Sequence, residues 1–254
     1  MPPECRDVQS VLILKADRFY LRAMRAVVET IYPHAQIRAW RVAEGGAALR
    51  AASVDVLLTG VCLPDGDVID RLAEWAQAPR RAHRVLVVTA RHEPRLLAVL
   101  RRLPIQGIFD PSMDEPENFS CAVRETAAGR HYWSQDRVAA AAARYPLGCE
   151  PIVALTPSEQ MVFGVIGDGC DDATAARELD MKESSVRSVR QQLHRKLRVQ
   201  HKGGLVRLAA QHGYVCMGAY GVTRPGLSDL RRTRLLREAR RGGREGTPAP
   251  NYNG

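Results

Sequence analysis

The chain has 254 residues, of which 45% are hydrophobic, so it is long enough for one large packed domain or two smaller ones. It contains no C-x-x-C pair and no run of about 18 uncharged apolar residues, which argues against a zinc site, a disulfide framework and a membrane span. The net charge of +9 favours an acidic partner. The first ten residues lack the apolar segment of a signal peptide, so we expect a cytoplasmic protein.

Segments with the periods of strands and helices alternate through the first half of the chain. Strands are predicted at Val11–Leu14, Gln36–Trp40, Val56–Leu58, Arg84–Val88 and Gln106–Phe109. Helices are predicted at 19–32, 43–51, 67–77, 92–102 and 115–128. The alternation indicates an α/β domain over 9–134 with a doubly wound, five-stranded parallel sheet. A ligand site in this fold lies at the carboxyl ends of the strands.

The second half is predicted to be helical after a break in the pattern. Residues 135–153 are predicted to form a linker that contains one short helix at 135–144, because prolines and a glycine interrupt the rest of this segment. Residues 154–215 have a purely helical pattern, and 216–254 are predicted to be a basic, partly disordered tail. Positive charge is concentrated late in the chain, since residues 182–207 carry eight Lys or Arg and one Glu.

Two helices and the turn between them predict a helix-turn-helix. A capping box at Thr156 and Glu159 begins the helical region, and a short helix is predicted at 172–179. The segment 181–199, MKESSVRSVRQQLHRKLRV, follows it. Its apolar residues fall on one narrow helical stripe, formed by Val186, Val189, Leu193 and Leu197. Its opposite face carries groups that can bond bases or phosphates, namely Ser184, Arg187, Ser188, Gln191 and Arg195.

With these residues in place, the helical region resembles the four-helix DNA-binding domain of the LuxR/NarL family. The matching positions are Leu155-Thr156-Pro157, Glu159, Val162, Ile166, Gly169, Ala176, Leu179, Val186, Arg190, Arg195-Lys196-Leu197, Val199 and Leu205-Val206. By that resemblance, base edges would be contacted by Arg187, Ser188 and Gln191. DNA phosphates would be held by Ser185, Arg190, Arg195 and Lys196.

The helical region departs from the family's pattern in the residues before its second and third helices and, with Gly203-Gly204, at the start of its last helix. Lys182 stands where the family usually has a serine as N-cap of the recognition helix, at an expected cost of about 1 kcal/mol. Asp171 and Asp172 put acidic groups into the turn before the second helix, where we expect them to repel a phosphate backbone.

Residues 9–134 resemble the receiver domain that this family usually places in front of its DNA-binding domain. The matching segments are Val11-Leu14, Asp55-Leu58, Leu63-Pro64-Asp65-Gly66-Asp67, Val85-Ala90, Gly107-Phe109 and Gly129-Ser134. Cys62 precedes one of these segments and has no evident partner thiol in the sequence. We therefore expect it to be an ordinary buried cysteine.

The pocket that a receiver uses for phosphotransfer is degenerate in this chain. A receiver needs an acceptor aspartate, acidic residues for Mg²⁺, a hydroxyl and a lysine at its strand ends. The corresponding positions are Gly60, Lys15-Ala16, Thr89 and Asp110 or Pro111. Because only the hydroxyl remains, neither phosphoryl uptake nor a bound metal is expected. A buried ion pair of Lys15 with Asp17 or Asp110 is expected to replace the metal-bridged network.

The two resemblances imply a sequence-specific DNA-binding transcription regulator that works independently of aspartyl phosphorylation. The alternative is an auxiliary regulator that acts by forming a heterodimer with a complete response regulator. An enzyme is not expected, because no nucleophile–base pair, metal cluster or phosphate loop occurs, and no cofactor is expected either. The expected partners are double-stranded DNA and a second copy of the chain or another response regulator, and RNA polymerase is a further candidate.

Overall fold

The predicted strands form one parallel sheet in the computed structural model, which describes residues 8–41, 54–64, 66–75, 84–134, 154–218, 221–228 and 230–231. The sheet consists of β1 (Ser10–Leu14), β2 (Gln36–Trp40), β3 (Val56–Thr59), β6 (Arg84–Val88), β7 (Gly107–Phe109) and β8 (Tyr132–Trp133). The strand order is β2-β1-β3-β6-β7-β8. The parallel α/β prediction is confirmed, and the sheet has one short edge strand, β8, beyond the five predicted. A small antiparallel hairpin, β4 (Cys62–Leu63) and β5 (Gly66–Asp67), follows β3.

Helices cover both faces of this sheet. They are α1 (Arg18–Ile31), α2 (Val68–Trp75), α3 (Pro94–Leu100) and α4 (Asn118–Ala127). Alternate residues of β1 belong to two different apolar clusters, with Leu12 and Leu14 on one face and Val11 and Ile13 on the other. Such two-sided burial explains why the strands have continuous apolar sequences. The helix predicted at 43–51 lies outside the described residues.

The helical region folds around a core of its own. Its helices are α5 (Pro157–Ile166), α6 (Asp172–Leu179), α7 (Glu183–Leu197) and α8 (Lys202–Gln211). Helices α6 and α7 with the turn between them form the predicted helix-turn-helix. Lys182 is the N-cap of α7 and makes no side-chain capping bond, in agreement with the expected loss at that position. The short helix predicted at 135–144 lies outside the described residues.

The segment after residue 215 contributes to the packed structure. Strands β9 (Cys216–Gly218) and β10 (Gly221–Thr223) form an antiparallel hairpin. Leu227 and Leu230 then pack against the core of the helical domain. This first part of the predicted tail 216–254 is therefore packed, because its scattered apolar residues cover the end of the helical core. No helix among the described residues is long and apolar enough to cross a membrane.

A buried carboxylate connects α5, at the start of the helical domain, to α7. Glu159 closes the capping box with Thr156 at the beginning of α5 and accepts a 2.8 Å ion-pair hydrogen bond from Lys196 Nζ of α7. Burial alone would raise the pKa of Glu159, but the bonds from Lys196 and Thr156 outweigh burial and lower the pKa. The ionised carboxylate therefore stabilises the folded state above the pKa of the unfolded chain, about 4.3.

We expect Glu159→Gln to lower the free energy of unfolding at pH 7 by about 1–3 kcal/mol, because a buried charge-assisted bond is lost. The pKa of Glu159 is lower in the folded than in the unfolded state. The stabilisation by the ionised carboxylate is therefore lost as pH falls from about 5 through the folded pKa, where wild type and variant should have similar free energies of unfolding. Urea unfolding followed by circular dichroism at pH 7 and pH 3.5 measures the difference. Glu29→Gln, which alters the exposed Arg25–Glu29 pair, is the control and should cost less than about 0.5 kcal/mol. A difference that is the same at both pH values would contradict this role of Glu159.

Candidate functional site

Helix α7 is anchored by one apolar stripe. Val186 and Leu193 are completely buried, Leu197 is nearly so, and Val189 packs against the same core. Because these residues are spaced by three or four positions, their burial fixes the rotation of the helix about its axis. The opposite face is therefore held towards solvent.

That solvent-facing side carries the residues predicted to contact bases. Arg187, Ser188 and Gln191 are all exposed, and Ser185 and Arg195 are exposed beside them. Arg187 donates a 2.7 Å hydrogen bond to Glu183 one turn earlier on the same helix. Its Nε also lies 3.6 Å from Oδ2 of the buried Asp172. The exposed pair with Glu183 contributes only about 0.3–0.5 kcal/mol, and the guanidinium keeps much of its surface exposed.

Two of the four predicted phosphate ligands have partners inside the domain. Arg190 donates a 2.7 Å hydrogen bond to Asp172, and Lys196 is paired with Glu159. Both carboxylates are buried, so the two cations tie α7 to α6 and α5. Ser185 and Arg195 are exposed, and so is Lys196 despite its pairing, whereas Arg190 is partly buried.

The acidic residues of the turn are also engaged within the domain. Asp171 is the N-cap of α6 and accepts a 2.8 Å hydrogen bond from the Thr174 amide. Asp172 is the buried partner of Arg190. The expected repulsion of a phosphate backbone is thus offset at Asp172 by an adjacent guanidinium, a pairing that sequence reasoning missed.

The residues of the predicted degenerate pocket meet at the carboxyl edge of the sheet. Lys15 Nζ donates a 3.0 Å hydrogen bond to the Val88 carbonyl and lies 5.2 Å from the centre of the Tyr20 ring. A Cβ at Gly60 would lie 3.3 Å from Lys15 Cδ, so the lysine stem occupies the space beside the glycine. Burial lowers the pKa of Lys15, while the charge of Asp17 opposes this shift.

Asp110 is hydrogen-bonded to other residues than Lys15. It is completely buried and accepts hydrogen bonds from the Ser112 amide (2.8 Å) and hydroxyl (2.6 Å), and it is paired with His92. Burial would raise the pKa of Asp110, but the bonds from Ser112 and His92 outweigh it and lower the pKa. Thr89 Oγ1 accepts a bond from the Arg91 amide at 3.2 Å. The expected ion pair of Lys15 with Asp17 or Asp110 is therefore replaced by the bond to Val88, since Asp17 caps α1.

These groups do not suit a magnesium ion. The ion requires several oxygen ligands, and carboxylates usually provide them. Ala16 has no ligating side chain, Gly60 has none either, and an ammonium group lies between the strand ends. Asp110, the buried carboxylate of this edge, already accepts three hydrogen bonds from protein groups. The described residues contain no group of three or more His, Cys, Asp or Glu arranged to hold a metal ion.

A cavity that sequence reasoning missed lies beside this edge. It has a volume of about 390 Å³, opens to solvent, and is lined by α1, α4 and the ends of β6 and β7. Its lining is mostly apolar and includes Pro111 of the predicted pocket together with Phe19, Tyr20, Ala23, Met24, Val27, Val88, Phe109, Asp114, Pro116 and Phe119. Phe19 is 78% exposed at its rim, which is unusual for a large apolar side chain. The sequence predicted a helix at 19–32 but gave no sign of a cavity beside it.

No protein-family model matches the chain, and no curated protein matches it. Its fold is similar to solved structures of RcsB. RcsB from Salmonella enterica serovar Typhimurium bound to promoter rprA in the presence of the phosphomimetic BeF3⁻ has a TM-score of 0.55 and 19% identity, with 79% of this chain and 97% of that chain covered. The same protein bound to promoter P1flhDC has a TM-score of 0.54 and 19% identity, with 81% and 99% covered. A structure of two RcsB dimers bound to two parallel DNAs has a TM-score of 0.51 and 18% identity, with 80% and 98% covered. The chain therefore has the fold of a receiver-like α/β domain followed by a helix-turn-helix domain.

Proposed function

We propose that the protein is a sequence-specific DNA-binding transcription regulator that works without aspartyl phosphorylation. The observation that carries the proposal is the polar face of α7. It presents Arg187, Ser188 and Gln191 to solvent on a helix whose opposite stripe is buried. Arg can bond guanine bidentately in the major groove, and Gln can bond adenine in the same way.

The surroundings of this face support a division of roles. Ser185 and Arg195 are exposed and suit phosphate contacts, which orient a protein on DNA without reading its sequence. Arg190 and Lys196 primarily hold α7 in position through buried carboxylates. Their remaining N–H groups are available to phosphates, so both residues stay candidates for that contact.

Independence from phosphorylation is supported by the carboxyl edge of the receiver-like domain. Gly60 offers no nucleophile, and Lys15 occupies the adjacent space. The similarity to RcsB, which was solved bound to promoters, supports DNA binding in this protein as well.

An exposed aromatic pair supports association of the receiver-like domain with a second protein. Phe19 and Tyr20 lie at the start of α1, where they are 78% and 39% exposed. A two-fold dimer through this face would present two α7 helices to two half-sites. A heterodimer with a complete response regulator would use the same aromatic surface and is the alternative.

We expect Arg187→Ala to weaken binding to the preferred DNA site by about 1–3 kcal/mol and to relax sequence preference, because a base contact is lost. Arg195→Ala should weaken all DNA about equally and lower the slope of log K against log salt by roughly one. Fluorescence anisotropy with specific and scrambled duplexes over a salt series measures both effects.

Arg101→Ala is the matched control, because Arg101 is an exposed arginine of the receiver-like domain. It should leave affinity and specificity unchanged. Equal losses on specific and scrambled DNA for Arg187→Ala would contradict the assigned base contact.

We expect no phosphoprotein after incubation with acetyl phosphate and Mg²⁺, since the acceptor position is Gly60 and an ammonium group lies beside it. Intact-mass spectrometry measures this directly, and a response regulator with an intact acceptor aspartate is the positive control. Affinity for DNA should be the same before and after the incubation. Stoichiometric phosphorylation at any aspartate, with a change in affinity, would overturn phosphorylation independence.

We expect Phe19→Glu to shift the protein towards monomer in analytical ultracentrifugation, because a charge would be buried in the proposed interface. Glu29→Gln, on the same helix, is the control and should leave the monomer–dimer equilibrium unchanged. A wild-type protein that is monomeric alone and associates only with another response regulator would favour the heterodimer instead.

A further inference from the structure

Two cysteines from distant parts of the chain meet between the two domains. Cys62 lies in β4 of the receiver-like domain, and its Sγ accepts a 3.5 Å hydrogen bond from Thr223 Oγ1 of β10. Thr223 is the direct cross-strand partner of Cys216 in β9, which brings the two thiols to one place. Cys216 also lies close enough to Cys62 to affect the pKa of its thiol. Both cysteines are free thiols.

The environment of Cys62 favours its thiolate. The hydrogen bond from Cys216 contributes most to lowering the pKa of Cys62, to about 6, against an opposing effect of burial. Arg91 contributes further, since its Nη1 lies 3.6 Å from Cys62 Sγ. Cys216 is shifted in the opposite direction, because its proton is held in the bond to Cys62. This asymmetry gives one attacking thiolate and one resolving thiol.

The surrounding interface holds the two cysteines together without a covalent bond. Arg95 of α3 is 4% exposed, and its Nη1 donates to the carbonyls of Gly213 (3.2 Å) and Pro225 (2.7 Å). Its guanidinium lies 4.2 Å from the centre of the Tyr214 ring. Gly213 has φ +77°, and a Cβ there would approach Glu93 Cβ to 2.8 Å, so the close approach of the domains depends on this glycine.

We propose that Cys62 and Cys216 form a peroxide-reactive thiol pair, whose oxidation to a disulfide covalently joins the receiver-like domain to the helix-turn-helix domain. The Cys62 thiolate attacks a peroxide oxygen, so an S–O bond forms while the O–O bond breaks, and the released oxyanion takes a proton to give water or an alcohol. Cys216 then loses its proton and attacks the Cys62 sulfur. The S–S bond forms, the S–O bond breaks, and hydroxide leaves as water.

The electrons of this sequence balance. Two thiols lose two electrons and two protons in total, and one peroxide is reduced to two hydroxyl products, water or an alcohol. Reduction by a small dithiol reverses the linkage through a mixed disulfide. The inference concerns the thiols and does not depend on DNA binding, so it stands or falls separately from the proposed function.

The test uses the full chain treated with graded hydrogen peroxide, followed by peptide mapping under non-reducing conditions. We expect a Cys62–Cys216 linked peptide that disappears after dithiothreitol. Cys62→Ser and Cys216→Ser should each abolish it. Cys121→Ser and Cys170→Ser are the matched controls, since Cys121 is exposed on α4 and burial raises the pKa of Cys170 to about 11. Both controls should form the linkage to the wild-type extent.

Two further measurements separate this site from chance oxidation. Alkylation of wild-type Cys62 by iodoacetamide should follow a pH midpoint well below the usual thiol value of about 8.5. Arg95→Ala should lower the linked fraction at a fixed peroxide dose, because it loosens the contact between the domains. Wild-type protein that yields only sulfinic or sulfonic Cys121 with no Cys62–Cys216 peptide would overturn the proposal. So would a Cys62 midpoint at or above that of an ordinary thiol.

Discussion

The missing side chain at Gly60 is the constraint on which the carboxyl edge of the sheet depends. It leaves room for the Lys15 stem, whose Cδ would lie only 3.3 Å from a Cβ at that position. Lys15 can then reach from the end of β1 to the Val88 carbonyl at the end of β6. Asp110 bonds to Ser112 and His92 and not to Lys15. The glycine thus makes room for the lysine that links the ends of β1 and β6.

Local sequence determined most of the elements, because the signals for strands and helices lie within a few residues. Strands β2 and β6 and helix α6 have the predicted bounds, and the capping box at Thr156 forms as its sequence indicated. The errors involve contacts between distant segments. The partners of Asp172 and Glu159 come from α7, 18 and 37 residues further along the chain, beyond the reach of helical periodicity. Strand β8 is too short for its pattern to be distinctive.

In the candidate site too, local features could be predicted and contacts with other segments could not. The exposed face of α7 followed from periodicity alone, since the positions of Val186 and Leu193 fix where Arg187 must point. The structural roles of Arg190 and Lys196 could not follow, because nothing in their own helix identifies a buried carboxylate elsewhere. Cys62 was expected to be an ordinary buried thiol for the same reason. Cys216, the partner proposed for it, lies beyond the helical domain on a hairpin that the sequence did not predict.

The contact between Arg95 and Tyr214 is favoured partly because both residues belong to one chain. One cation, one ring and two carbonyls make a small contact that would hold two separate proteins together only weakly. Residues 135–153 join the two domains within one chain, so docking is an intramolecular event with an effective concentration that can reach the millimolar range. Lengthening this connection by insertion would lower the docked fraction while leaving every contacting residue unchanged. The fraction of molecules with docked domains can therefore change through the length of the connecting segment, without any change in the two surfaces that meet.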